Sequence, residues 1–115
     1  MKESCIFCRI IAGTLPSQVV YRDDLVTAFR DARPQAPTHL LVVPNEHLES
    51  VADLGREHGD LLARMFATAN EVARQEGVEQ SGFRLVFNRG RDAGQSVDHL
   101  HLHVLGGRRL LWPPG

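Results

Sequence analysis

No long apolar run exists in this chain, and nothing in it approaches the ~18 residues that cross a bilayer as a helix. A membrane partner is therefore not expected. Neither sign of charge dominates: 13 Lys and Arg stand against 14 Asp and Glu, for a formal charge of −1. Nucleic-acid modules carry a marked basic excess, so no nucleic-acid partner is expected either. Cysteine is scarce, with two in 115 residues, and aromatics are only 6%. A disulfide scaffold is excluded, and a chain of this length buries most of its apolar surface without staples. Repeats, low-complexity tracts and interior Pro/Gly/Ser linkers are missing too, so one domain over residues 1–115 is expected. The start, Met1-Lys2-Glu3-Ser4-Cys5, leads into no apolar signal core, and a cytoplasmic location is expected. What remains is ordinary globular composition, 43% hydrophobic and 23% charged.

The spacing of apolar residues predicts an α+β domain. Ile6 to Ala12 forms a short N-terminal helix, stopped at Gly13 and kept from resuming by Pro16. Val19 to Tyr21 and Val26 to Phe29 are strands around an Asp23-Asp24 turn. Asp31 to Pro37 is a loop, and His39 to Val43 is a buried strand ended by Pro44. From Leu54 to Glu76 the apolar side chains fall at Leu61, Leu62, Met65, Phe66, Ala69, Val72 and Ala73, a helical period with Gly77 as its stop. Phe83 to Phe87 is a strand, Asn88 to Gln95 a loop, and Val97 to Leu105 a final strand ended by Gly106-Gly107. One long helix among about five strands with short connections implies an antiparallel sheet.

The final strand carries the chemistry. In Asp98-His99-Leu100-His101-Leu102-His103-Val104-Leu105 the alternation puts His99, His101 and His103 on one face and Leu100, Leu102 and Val104 on the other. Neighbouring histidines lie roughly 6.5–7 Å apart on a rise of ~3.3 Å per residue, so all three reach one anionic group. Alternating histidines also serve as zinc ligands. Phosphoryl or nucleotidyl transfer also suits them: neutral imidazole is a nucleophile with a pKa near physiological pH, and a flanking protonated imidazole can neutralise charge developing on non-bridging oxygens. The loop Asn88-Arg89-Gly90-Arg91-Asp92-Ala93-Gly94-Gln95-Ser96 feeds this strand. Gly90 and Gly94 permit the positive φ angles that converge N–H groups on a phosphate, and Ser96 adds a hydroxyl.

These residues resemble the histidine triad superfamily, with its His-φ-His-φ-His-φ-φ motif, and within it the histidine triad nucleotide-binding proteins, or purine nucleoside phosphoramidases. The likeness extends over Asp31-Ala32-Arg33-Pro34-Gln35-Ala36-Pro37-Thr38-His39, Gly94-Gln95-Ser96-Val97, the triad, Gly106-Gly107-Arg108 and Trp112-Pro113-Pro114-Gly115. It implies a HIT-like fold and hydrolysis of purine nucleoside 5′-phosphoramidates to the monophosphate and an amine, with no organic cofactor. His101 would be the nucleophile, His103 would contact the phosphate, and His99 and His39 would complete a polar relay. Asp31 would bind the ribose; Asn88, Gly94 and Ser96 would line the phosphate and leaving-group side. Leu15, Tyr21, Phe29 and Ala32 would lie near the purine. The resemblance also implies a homodimer whose tail, with Trp112, reaches the partner's site. Two features depart from the pattern: Arg89 and Arg91 add positive charge to the loop, and Asp98 precedes the triad where an aromatic is common. A dinucleoside polyphosphate hydrolase and a non-enzymatic nucleotide-binding protein are the alternative readings.

Cys5-Ile6-Phe7-Cys8 has the spacing of half a zinc site. Bacterial members resembling this chain complete such a set with the histidine of Pro44-Asn45-Glu46-His47 and with His99, so Cys5, Cys8, His47 and His99 are the expected ligands. His99 cannot serve fully as ligand and relay at once. His58 is expected as a surface residue of the long helix.

Overall fold

A computed structural model describes residues 2–115. Helix α1 (Ile6–Ala12) begins at Cys5, whose sulfur accepts the Cys8 N–H, and ends at Gly13, whose φ of 81° lets its N–H turn back to the last carbonyls. Strands β1 (Val19–Arg22), β2 (Val26–Arg30) and β3 (Thr38–Pro44) follow. Helix α2 (Gly59–Gln75) then leads to β4 (Phe83–Phe87) and β5 (Leu102–Gly106). The strands form one antiparallel sheet in the order β1-β2-β3-β5-β4. The expected α+β architecture, with five strands, one long helix and one short helix, is the observed one.

Central β3 is buried along its whole length, which explains its unbroken apolar run. Its two faces feed separate clusters. Leu40 and Val42, with Val26, Ala28, Leu100, Leu102 and Val104, pack under Met65, Ala69, Val72 and Ala73 of α2. Leu41 and Val43 face the other way with Phe29 and meet Phe7, Cys8 and Ile10 of α1. Because Leu41 pairs with His103 and His39 with Leu105, the polar side chains of the triad emerge on the α1 side. The sheet thus separates a plain core from a chemically equipped face.

Two boundaries differ clearly from expectation. The final strand starts at Leu102 rather than Val97, because the Leu100 N–H is drawn to Leu48 O at 2.6 Å and the residues before it bend away from the ladder. The long helix starts at Gly59 rather than Leu54. Two short 3₁₀ turns, Val51–Asp53 and Arg56–His58, precede it; Ser50 and Asp53 cap the first reciprocally. Gly55 and Gly59 weaken helix continuation there. His58 consequently lies outside α2, with its Nδ1 accepting the Gly55 N–H at 2.9 Å. Among the described residues, no helix is long and apolar enough to cross a membrane.

Candidate active site and metal cluster

His101 lies directly before β5 and is 4% exposed. Its Nδ1 sits 2.7 Å from the His99 carbonyl oxygen. A carbonyl only accepts, so Nδ1 carries the proton and the lone pair belongs to Nε2. Burial pushes the ring's pKa below 6.5, against the opposing pull of that hydrogen bond and of Asp31. His101 is therefore neutral at pH 7, the form a nucleophile needs. Phe7 of α1 fixes the ring from the side, edge-on, with centroids 5.2 Å apart.

A second chain of hydrogen bonds orders His103. The Gln35 backbone N–H donates to His39 Nδ1 at 3.0 Å, which places the His39 proton on Nε2. That Nε2–H faces His103 Nδ1 at 2.9 Å, so the His103 proton in turn lies on its own Nε2. Burial, reinforced by His101 and His39, pushes His103 down to about 4. Burial also lowers His39, opposed by Asp31. His103 therefore offers a neutral N–H beside His101, whose ring centroid is 4.9 Å away. Asp31 Oδ2 lies 3.4 Å from His39 Nε2, and its Oδ1 accepts the Arg33 N–H. Asp31, His39 and His103 converge closely enough to resemble a cation site. The proton on His39 Nε2 points into that space, however, and leaves no lone pair there for a metal.

His99 is fully buried and turns to different partners. Its Nε2–H donates to Pro44 O at 2.9 Å, so Nδ1 holds the lone pair. Nδ1 stands 3.3 Å from Cys5 Sγ, 3.5 Å from Cys8 Sγ and 3.1 Å from His47 Nδ1, with Cys8 Sγ 3.2 Å from His47 Nδ1. All four ligand atoms lie within 4.8 Å of one another. A tetrahedral zinc with bonds of about 2.0–2.3 Å implies ligand separations of roughly 3.3–3.8 Å, which this cluster nearly matches. The Pro44 carbonyl supplies the outer hydrogen bond typical of a metal-bound histidine. The two-sulfur, two-nitrogen set thus fits zinc. This corrects the relay reading of His99: neither ring nitrogen reaches towards His103, and what His99 gives His101 is its carbonyl. Burial holds the His99 ring at about 4 and raises the Cys5 thiol.

The remaining expected residues divide. Phe29 is buried on the α1 face, and Leu15 packs beside it. Tyr21 is a correction: it packs on the α2 side, its hydroxyl donating to Asp23 Oδ2 at 2.6 Å, and so cannot lie by a purine on the triad face. Ala32 is exposed in the loop after Asp31. Asn88 follows Phe87, the partner of Leu102, and so leaves the sheet at the His101 end. Gly94 adopts φ 83° and Ser96 is exposed. The loop between them is held by Gln95, whose amide accepts from Gly90 N–H and donates to Glu49 O and Val97 O. Arg89, Arg91 and Asp98 are exposed, and Trp112 is 81% exposed. Sequence reasoning missed Phe7, for which its place between the two cysteines is the available signal. It missed the Gln35 and Pro44 backbone groups as well, which leave no mark in residue type.

The HIT domain pattern matches residues 12–110. The chain belongs to the HIT family. A HIT family member from Escherichia coli (strain K12), purine nucleoside phosphoramidase, is 51% identical over 110 residues, covering 96% of this chain and 92% of that protein. The 14 kDa zinc-binding protein of Brassica juncea is 47% identical over 112 residues, covering 96% and 98%. The crystal structure of a HIT family hydrolase from Legionella pneumophila Philadelphia 1 superposes with a TM-score of 0.94 at 48% identity, covering 96% of this chain and 99% of that one. The resemblance drawn from the triad and its flanking segments is thus the family relationship, and the HIT-like fold expected from it is the fold observed.

Proposed function

We propose that this chain hydrolyses purine nucleoside 5′-phosphoramidates, releasing an amine and the nucleoside monophosphate through a nucleotidyl-histidine intermediate on His101. The observation that carries the reading is the tautomer of His101: the His99 carbonyl holds Nδ1–H, so the Nε2 lone pair of a neutral ring is free. In the first step that lone pair attacks phosphorus, the P–N bond breaks and the departing amine takes a proton from solvent, which the attacking water gives back in the second step. Water then attacks the same phosphorus, displaces His101 Nε2 and regenerates the neutral ring. The His103 Nε2–H donates to a non-bridging oxygen as negative charge grows there. His39 holds His103 in that tautomer.

Around this centre, Asp31 binds the ribose hydroxyls, while Asn88, Gly94 and Ser96 flank the phosphate. Phe29, Leu15 and Ala32 border the purine. Cys5, Cys8, His47 and His99 would hold a zinc ion, whose contribution is structural, tying α1 to the segment that leads into β5. No organic cofactor enters these steps. The reading further holds the chain to be one domain over residues 1–115, a homodimer, and cytoplasmic.

Steady-state turnover of adenosine 5′-phosphoramidate against a diadenosine polyphosphate tests the substrate class, with His101→Asn as control. Preference for the phosphoramidate, abolished in the variant, is expected. Preference for the polyphosphate would instead make the chain a dinucleotide hydrolase and give exposed Arg89 and Arg91 a role. AMP binding without turnover of either substrate would make it a binding protein.

A further inference from the structure

The loop from Ala32 to Pro37 carries the donor that sets the His39 tautomer, yet it is mostly exposed, with Ala36 its one buried residue. Its internal ties are short. The Arg33 N–H meets Asp31 Oδ1, the Gln35 amide donates to Arg33 O, and Asp31 N–H closes the hairpin on His39 O. Among the described residues, a single hydrogen bond joins this loop to chain outside its own hairpin: Arg108 Nε–H donates to the Gln35 carbonyl at 3.0 Å. Arg108 reaches it because Gly107, at φ 87°, turns the chain tightly as it leaves β5. A Cβ on Gly107 would stand 2.9 Å from the Pro37 Cβ, so only a glycine lets the turn pass this close to the loop's end. The second arm of the guanidinium is fixed as well, with Nη1 donating to Arg109 O at 3.0 Å.

We infer that Arg108 is a positioning residue: by holding Gln35 from the C-terminal side, it fixes the tautomers of His39 and His103. The path is continuous. Arg108 holds the Gln35 carbonyl, the Gln35 N–H occupies His39 Nδ1, and the His39 Nε2–H occupies His103 Nδ1. With the loop free to move, His39 can carry its proton on either nitrogen. His103 can then present a lone pair where the reaction needs an N–H. Arg108 touches neither substrate nor reacting atoms in this scheme. The inference rests on the proposed role of His103 only for its kinetic consequence; its structural content stands on the resting protein.

The test is ¹⁵N NMR of the imidazoles in the substrate-free full chain, run beside turnover, for wild type and Arg108→Met. Arg108→Lys keeps the charge and stem but lacks the Nε–H, and it carries the same test should the Met variant not fold. Arg109→Met, altering the neighbouring side chain of the same tail, is the control. In wild type and the control, His39 and His103 should each show a single Nε2–H tautomer. In the Arg108 variants one or both rings should move to a mixture, and kcat should fall about tenfold, a fraction of what a positioned proton donor supplies. Unchanged tautomers in a folded Arg108 variant overturn the inference, whatever the rate does. Absence of turnover in the wild type strikes the proposed function instead and leaves the NMR result to decide this one.

Discussion

The state of a few ring nitrogens decides what this site can do. His101 is neutral because it is buried, and its Nε2 is free because a carbonyl occupies Nδ1. Replacing it by Asn removes the proposed nucleophile while keeping a hydrogen-bonding side chain. Turnover should fall on the order of 10³-fold or more, as when covalent nucleophiles are deleted elsewhere, with AMP binding retained when measured by calorimetry. The pH profile follows from the same shift. A ring whose pKa is lowered from 6.5 stays neutral as pH falls through 6.5, so kcat/KM should hold there and decline only at more acid pH. A decline centred at or above 6.5 would show a ring that is not desolvated. The triad's alternation was legible in the sequence, because residue type and spacing carry that information, whereas His39 entered only through the family resemblance. The proton positions were not, since they are set by the backbone groups of His99, Gln35 and Pro44, which every residue possesses.

Elements bring those rings together. Both helices, all five strands and the two faces of the histidine strand were readable from apolar period and turn residues. The start of β5 was not, because Leu100 and His99 answer to Leu48 and Pro44, distant partners invisible to local pattern. Tyr21 misled for a related reason: a register irregularity in β1, between Val19 and Tyr21, accompanies its placement on the α2 side. Two consequences are measurable here. Leu40 is fully buried between β3 and α2, so Leu40→Ala should lower unfolding free energy by about 2–5 kcal/mol in denaturant titration. It should leave KM nearly unchanged, since the cavity opens away from the triad face. At the α1 end, Cys8→Ser should abolish stoichiometric zinc, read by metal analysis of purified protein, and lower the melting temperature. A variant with full zinc content would contradict the Cys5–Cys8–His47–His99 assignment.

At the scale of the whole molecule, one sheet divides two tasks. The α2 side supplies a plain apolar core; the α1 side carries the proposed nucleophile, a neutral donor and a metal-fitting cluster, largely withdrawn from solvent. That desolvation has an acid cost. His103 is held at about 4 in the folded protein against 6.5 when unfolded. The unfolded chain therefore binds protons first, and stability is full above pH 6.5 and declines as pH falls from 6.5 towards 4. Melting temperature recorded across that window should drop steadily; a flat profile would contradict the burial of neutral rings. The proposed reaction turns on a bond between phosphorus and His101. Its most direct measurement is mass spectrometry of enzyme quenched during turnover of adenosine 5′-phosphoramidate. An adenylyl group on the peptide containing His101, absent from His101→Asn, is the predicted result. Turnover that proceeds with no such adduct, and that survives in His101→Asn, would contradict it.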